Sequence, residues 1–291
     1  MKQLTLLCCL LFSIELLAQL PPEHPLYPNG IADNPVSYPE PELFVDSGVP
    51  SQSLSGLNRV YRYVTEPGYM LFPANQELNR HLAVVIFPGG GLRNVWLDKE
   101  GTDIALWLSQ QGITCMVVKY RTNWRDEDDD WIIDFDDYKG AVYQDARTSM
   151  LMMKSLADSL DFDVNKVGMM GFSAGGWLAE RVTYKYYEGD YEWNPAFVAL
   201  IYHGNNIKLI RNADNPEKLP PFFMAIAQND EKLPMNKVIP YLKMVAKEVP
   251  HSELWIYPDG HHGFGLAYDE QQEVSNWKKA FVHWVDQFRQ E

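Results

Sequence analysis

Short, almost purely apolar runs recur along this chain, spaced so that a helix fits between most of them: Ala83–Phe87 (AVVIF), Ile113–Tyr120 (ITCMVVKY), Val167–Gly171 (VGMMG), Phe197–Tyr202, Phe222–Gln228 and Leu254–Tyr257. A strand with one wet face alternates apolar and polar residues, so Ala83–Phe87 and Ile113–Tyr120, which do not alternate, read as strands covered on both faces, and the other runs read as further strands. The segments Asp98–Gln110, Tyr138–Leu160, Ala174–Tyr187, Val238–Glu248 and Gln271–Phe288 read as helices. Alternation of this kind specifies an α/β fold, a mostly parallel central sheet with helices on both faces. Val60–Val64 does alternate, which predicts an edge strand.

The pattern begins near Leu57 and continues without a break in composition, so residues 57–291 read as one domain. Hydrophobic residues make up 46% of the chain and charged residues 22%, which suits a buried core and excludes disorder as the main state. Residues 20–56 begin rich in proline with little periodicity, and read as an extended arm over the domain surface. Ahead of them, Lys2, an apolar run from Leu4 to Ile14 and the small residue of Ala18–Gln19 have the layout of a secretory signal peptide over residues 1–19. That run is shorter than the roughly 20 apolar residues that cross a bilayer. The expectation is a periplasmic or secreted protein that loses Cys8 and Cys9 with its leader and keeps Cys115 alone, without an internal disulfide.

One segment carries chemistry on its face. Gly171-Phe172-Ser173-Ala174-Gly175 is a G-x-S-x-G motif that directly ends an apolar strand and directly opens a helix. A serine in such a turn is presented by a strained backbone, small neighbours make room for it, and the helix N-terminus faces its hydroxyl. A serine hydroxyl is a weak nucleophile until a base takes its proton. In a strand–turn–helix setting of this type the order along the chain is serine, acid, histidine. Among the histidines after Ser173, His283 lies within the last helical segment, His251 opens a strand and His203 ends one. His261 and His262 sit in the glycine-flanked loop Pro258–Gly265, after the last strand and before the last helix. His262 is preferred over His261 as the base. Asp230, at the end of the strand Phe222–Gln228, is the expected acid, with Glu231 one position on as the weaker candidate and Asp259 within the histidine's own loop.

Acyl transfer also needs donors for a developing oxyanion. Pro88-Gly89-Gly90-Gly91 follows the strand Ala83–Phe87, and glycine lets backbone N–H groups approach a substrate oxygen closely. Gly90 and Ala174 are the expected donors, with Gly91 in support. The Gly-Lys-Ser/Thr of a phosphate-binding loop is absent.

The formal net charge is −14, from 25 Lys+Arg against 39 Asp+Glu, so nucleic acid and anionic membranes are poor partners. Arg125–Asp137 concentrates acidic residues, Asp126 to Asp137, and reads as a solvated loop; a calcium site is the alternative, without the spacing of an EF-hand. Trp124 and Trp131 flank it, read as anchors of the loop with stacking on sugar rings as the alternative. No cluster of His and Cys has zinc-site spacing.

At these residues the chain resembles an α/β-hydrolase, of the carbohydrate-esterase-type branch related to the prolyl oligopeptidase hydrolases, whose members are often labelled acetylxylan esterase or feruloyl-esterase-like. The likeness runs from about Pro25 to the C-terminus through PGGG at Pro88, EG at Glu100–Gly101, VVKYR at Val117, QDAR at Gln144, GFSAGGWLAE at Gly171, QNDEKLP at Gln228 and HGFGL at His262. It implies Ser173 as nucleophile, Asp230 as acid and His262 as base. It further implies hydrolysis of acylated carbohydrate or another small ester, without metal or organic cofactor. Two positions depart from the pattern: Leu92 stands where an aromatic residue usually follows the glycines, and Tyr202-His203-Gly204 where relatives often carry Tyr-Pro. Leu92, His203 and Trp177 are the expected substrate-bordering residues. Two other activities fit the same scaffold. One is a serine peptidase of the prolyl oligopeptidase type, although the stretch before the first core strand is short for a propeller. The other is a carbohydrate-binding protein without catalysis.

Overall fold

The computed structural model describes residues 20–46, 54–126, 128–191, 193–203, 207–269 and 271–289. The expected signal segment 1–19 therefore lies outside the described residues, as do Glu127 and Gly204.

Five of the six apolar runs form the centre of an eight-stranded sheet, and the sixth, Leu254–Tyr257, lies at one edge with Trp255 and Ile256 exposed. In chain order its strands are β1 (His24–Pro25), β4 (Gly68–Phe72), β5 (Leu82–Phe87), β7 (Ile113–Lys119), β8 (Val167–Phe172), β9 (Val198–Ile201), β10 (Phe222–Ala227) and β11 (Glu253–Tyr257). Their spatial order is β1-β4-β7-β5-β8-β9-β10-β11. From β7 to β11 every pairing is parallel, while β1 and β4 are added antiparallel at one edge. Every residue of β5, β7, β8, β9 and β10 is buried, which matches their lack of alternation. The cover comes from α1 (Asp103–Gln110), α2 (Phe135–Ser155), α3 (Ala157–Leu160), α4 (Ala174–Tyr187), α5 (Ile207–Asn212), α6 (Met235–Glu248) and α7 (Trp277–Val285). Of these, α1 packs on β7, α4 on β8 and β9, α6 on β11 and α7 on β10. Among the described residues no helix is long and apolar enough to cross a membrane.

A second, three-stranded antiparallel sheet joins β2 (Leu43–Asp46), β3 (Arg59–Arg62) and β6 (Asn94–Trp96). The segment expected as an edge strand over Val60–Val64 is the middle strand of this small sheet, and it ends at Arg62 because Tyr63 turns to φ 53°. The edges of the main sheet are instead β1, beside β4, and β11. The small sheet bears on function, because β6 leaves directly from the glycine loop after β5 and its pairing with β3 fixes where that loop starts and stops.

The helix expected over Asp98–Gln110 opens differently from an α-helix. Residues Asp98–Thr102 form a π-turn, in which the Thr102 N–H donates to the Leu97 carbonyl at 2.8 Å. Asp98 fixes it: its carboxylate accepts from the Arg59 guanidinium at 2.8 Å and from the Thr102 hydroxyl at 2.8 Å. Glu100 lies within this turn and is buried.

Residues 20–46 are tied down by buried polar groups. Lys119 holds Glu23 and Glu42 at 2.7 and 2.6 Å. Arg121, 2% exposed, places its guanidinium on the fully buried Asp145 at 2.7 Å and also donates to Asn34 at 2.8 Å. Tyr27 donates to the same Asp145 at 3.0 Å. The VVKYR and QDAR segments thus supply anchors rather than chemistry. Removing one member of a buried, hydrogen-bonded ion pair leaves an unpaired charge, so Arg121→Ala is expected to lower unfolding free energy by about 3–5 kcal/mol. Urea melts of the two proteins measure it.

Candidate active site

Ser173 sits between the end of β8 and the start of α4 with φ 49° and ψ −113°, a conformation that costs a non-glycine residue energy and survives only where the surroundings impose it. The surroundings are glycine and backbone. A Cβ on Gly171 would lie 2.3 Å from the Gly175 carbonyl oxygen, and one on Gly175 would lie 1.9 Å from that of Phe87. The Ser173 N–H is held by the Ile201 carbonyl at 3.0 Å, and its own carbonyl receives the Trp177 N–H at 3.0 Å. Its side chain makes no cap on α4, which leaves the hydroxyl for other partners.

That partner is His262. Ser173 Oγ lies 2.8 Å from His262 Nε2, and His262 Nδ1 lies 2.8 Å from Asp230 Oδ2. An ionised carboxylate only accepts, so Nδ1 carries the proton toward Asp230 and Nε2 is left to accept from the serine. Asp230 is itself fixed, because its Oδ1 accepts the N–H groups of Lys232 at 2.8 Å and Leu233 at 3.0 Å. Burial disfavours this carboxylate, but the hydrogen bond and charge of His262 and the two backbone N–H groups outweigh it and hold its pKa below the usual aspartate value. A depressed native pKa stabilises the fold above the ordinary aspartate range, and that contribution is lost as pH falls through the native value. Asp230→Asn is therefore expected to be less stable than wild type near neutrality. The difference should close in acid, as read from denaturation midpoints across pH.

The other candidates occupy different places. His261, exposed with φ 56°, donates its N–H to Asn229 at 2.9 Å, and its Nδ1 lies 3.9 Å from Glu231. Glu231, also exposed, accepts the His262 N–H at 3.4 Å. Asp259 Oδ1 accepts the Val274 N–H at 3.3 Å. His203 turns inward, with Nε2 3.1 Å from the buried Glu180, which also receives the Tyr241 hydroxyl. His283 is exposed on α7.

The glycine loop reaches the nucleophile. A Cβ on Gly89 would come within 3.0 Å of Ser173 Cβ, so these backbones touch. The loop is locked by the Gly90 carbonyl, which accepts from the N–H groups of Arg93 at 3.2 Å and Asn94 at 3.0 Å, and Gly90 itself takes φ 139°. A Cβ there would lie 2.0 Å from the Asn94 carbonyl oxygen, so glycine is required. Ala174, half-buried, begins α4, whose N-terminus adds partial positive charge beside Ser173. Leu92 is half-buried at φ 65° and accepts the Asn123 N–H at 2.8 Å. Trp177, also half-buried, sits one turn beyond Ser173 between Phe135 and Tyr143.

Trp124 packs against Tyr63 under Arg62, and Trp131 packs against Phe135 under Arg125. In the acidic loop two carboxylates serve the local backbone, while Asp129 pairs with Arg125 and Asp136 with Lys139. Asp126 accepts from the N–H groups of Asp128 and Asp130, and Asp134 caps α2. Among the described residues no group of three or more His, Cys, Asp or Glu is placed to hold a metal ion.

Two residues at the site had no role in the sequence reading. Glu100 is buried; its Oε2 accepts the Gly89 N–H at 2.6 Å and its Oε1 accepts the Tyr202 hydroxyl at 2.7 Å. Burial pushes the Glu100 carboxyl up, only partly offset by Tyr202, Lys99, Gly89 and His262. Tyr202, at φ 38°, sets its ring edge-on to His262 with centroids 5.2 Å apart.

The same arrangement of chain occurs in known proteins. An acetyl ester-xyloside bifunctional hydrolase from Caldicellulosiruptor lactoaceticus superposes with a TM-score of 0.64 at 22% identity, covering 93% of this chain and 98% of that one. A carboxylesterase from Lactobacillus plantarum gives a TM-score of 0.59 at 15% identity over 77% of this chain and 92% of that one. These likenesses show the α/β-hydrolase fold. An acetylxylan esterase of Xylanibacter ruminicola is 28% identical over 232 residues, 68% of this chain; the chain spans only 45% of that relative's length. The model of the dienelactone hydrolase family matches residues 67–291, which take in every strand of the main sheet except β1 and the serine, aspartate and histidine above, and the chain belongs to that family.

Proposed function

We propose that this chain is an exported serine esterase that removes acetyl or other small acyl groups from plant polysaccharide or its oligosaccharides. The observation that carries the reading is the unbroken hydrogen-bonded line from Ser173 Oγ through His262 to Asp230, at a strained turn beside a glycine loop. Likeness to an acetylxylan esterase supports the choice of substrate, and the layout of residues 1–19 supports export.

In the proposed cycle Ser173 Oγ attacks the ester carbonyl carbon as its proton passes to His262 Nε2. The oxyanion of the tetrahedral intermediate is held by the N–H groups of Gly90 and Ala174, with Gly91 in support, which lie on the two segments that meet at the serine. Asp230 stabilises the imidazolium. The imidazolium returns the proton to the departing sugar oxygen, leaving an acyl-serine. Water then attacks that ester, giving a proton to His262, and collapse restores the serine hydroxyl and frees the acid. His262 carries every proton, so the cycle uses no metal or organic cofactor. Leu92 and Trp177, on the segments either side of the serine, border the acyl site in this reading. His203 supports it from beneath, through its contact with α4.

An ester panel tests the substrate: acetylated xylan, acetylated glucose, methyl ferulate and a long-chain lipid ester. Acetate release from the first two is expected to dominate. Turnover confined to the lipid ester, or none on any member, would count against the proposal.

A further inference from the structure

Glu100, only 5% exposed, lies at the back of the site with the charge of Lys99 nearby. It belongs to the π-turn Asp98–Thr102, and such wide turns in helices recur at functional sites. Both of its oxygens receive hydrogen bonds, one from the backbone of the glycine loop and one from the phenol whose ring lies against the His262 imidazole. The histidine loop itself passes close by: a Cβ on Gly263 would lie 3.9 Å from Glu100 Oε1. The neighbouring Gly101 also has no room, since a Cβ there would meet Val117 at 2.6 Å and Pro88 at 3.1 Å. The turn is thus pressed directly onto the start of the loop. Tyr120 holds the other side of that loop by donating to the Pro88 carbonyl at 2.6 Å.

We propose that Glu100 is a positioning residue: it clamps the Gly89–Gly91 loop in register with Ser173, and through Tyr202 it sets a negative charge behind the His262 imidazole. The role rests on the serine-esterase reading above. The backbone N–H of Gly89 can only donate, so its partner must accept, and the Gly89 peptide is the hinge that aims the Gly90 N–H. The titratable groups around Glu100 are Lys99 on its own turn, Tyr120 beyond β7, Tyr202 beyond β9 and His262 beyond β11. Of these only His262 gains a positive charge during the cycle. An enclosed anion favours that charge, because little water screens it.

Full-length Glu100→Gln and Glu100→Ala, with Ser173→Ala as the control, separate the possibilities. Glutamine keeps an acceptor for the Gly89 N–H and a donor for the Tyr202 oxygen but carries no charge; alanine removes the clamp. The expected kcat falls about 10-fold for Glu100→Gln and about 100-fold for Glu100→Ala, with the latter near the loss of one oxyanion donor. KM should stay within about threefold in both, since the loop acts on the transition state. The acid limb of the kcat/KM profile should move to lower pH in Glu100→Gln, because the imidazolium has lost a nearby anion. A merely structural carboxyl would lower the melting temperature without that displacement. Wild-type kcat in both variants, or a Glu100→Gln profile that superposes on wild type, overturns the assignment while Ser173→Ala is inactive. Equal rates in wild type and Ser173→Ala would instead remove the serine-esterase reading itself.

Discussion

Ser173→Ala is expected to lower kcat on an acetyl ester by about a million-fold, to the residual rate that binding and oxyanion donors sustain without a nucleophile. The size follows from covalent catalysis being all or nothing: without the oxygen at position 173 no acyl-enzyme forms, and His262 has no proton to accept. The fold should hardly notice. The Ser173 side chain makes no cap on α4, its only described side-chain hydrogen bond is to His262, and the φ of 49° is imposed by Gly171, Gly175 and the Ile201 carbonyl. Steady-state kinetics beside a thermal melt measure both. Substrate affinity, read from KM or from binding of the uncleaved ester, should survive.

The second large effect belongs to Asp230→Asn, with kcat expected to fall about ten-thousand-fold at unchanged KM. The direction of the amide is set by the backbone. The N–H groups of Lys232 and Leu233 both point at one oxygen of residue 230 and require an acceptor there, so the asparagine oxygen takes that place. Its NH₂ then faces His262 Nδ1, which must become the acceptor, and the ring proton moves to Nε2. That is the tautomer that cannot take a proton from Ser173. Geometry is retained and the chemistry is lost. Rates should partly recover at high pH, where a base other than the imidazole can serve.

These residues could be chosen before any coordinates because their signals are local. An apolar run without alternation states its own burial, and the two strands read on that ground, β5 and β7, are wholly enclosed. A serine between a strand and a helix with glycine on either side states its own turn. His262 and Asp230 follow from chain order and strand ends, and the structure places both within hydrogen-bonding distance of their neighbours. What was not legible depends on partners far away in the chain. The strand β4 (GYMLF) is a short run opening at a glycine, with Tyr69 and Leu71 only half-buried, and β1 is two residues long, so pairing with β7 and β4 is what identifies them. Val60 looked like a sheet edge because alternation reports one wet face and cannot tell which sheet supplies the dry one. Glu100 was hidden for a related reason. Helical spacing puts position 100 on the face of Ile104 and Leu108, but a glutamate there reads as solvated until its partners are known, and the Gly89 N–H and Tyr202 hydroxyl that donate to it come from other segments.

Labelling with a fluorophosphonate, followed by intact mass and peptide mapping, tests the proton relay most directly, because it reports nucleophilicity at one oxygen without assuming a substrate. The expected result is a single adduct on Ser173 in the wild-type chain and essentially no adduct in His262→Ala over the same interval. An adduct on another residue, or labelling of His262→Ala at the wild-type rate, would contradict a serine made nucleophilic by that imidazole.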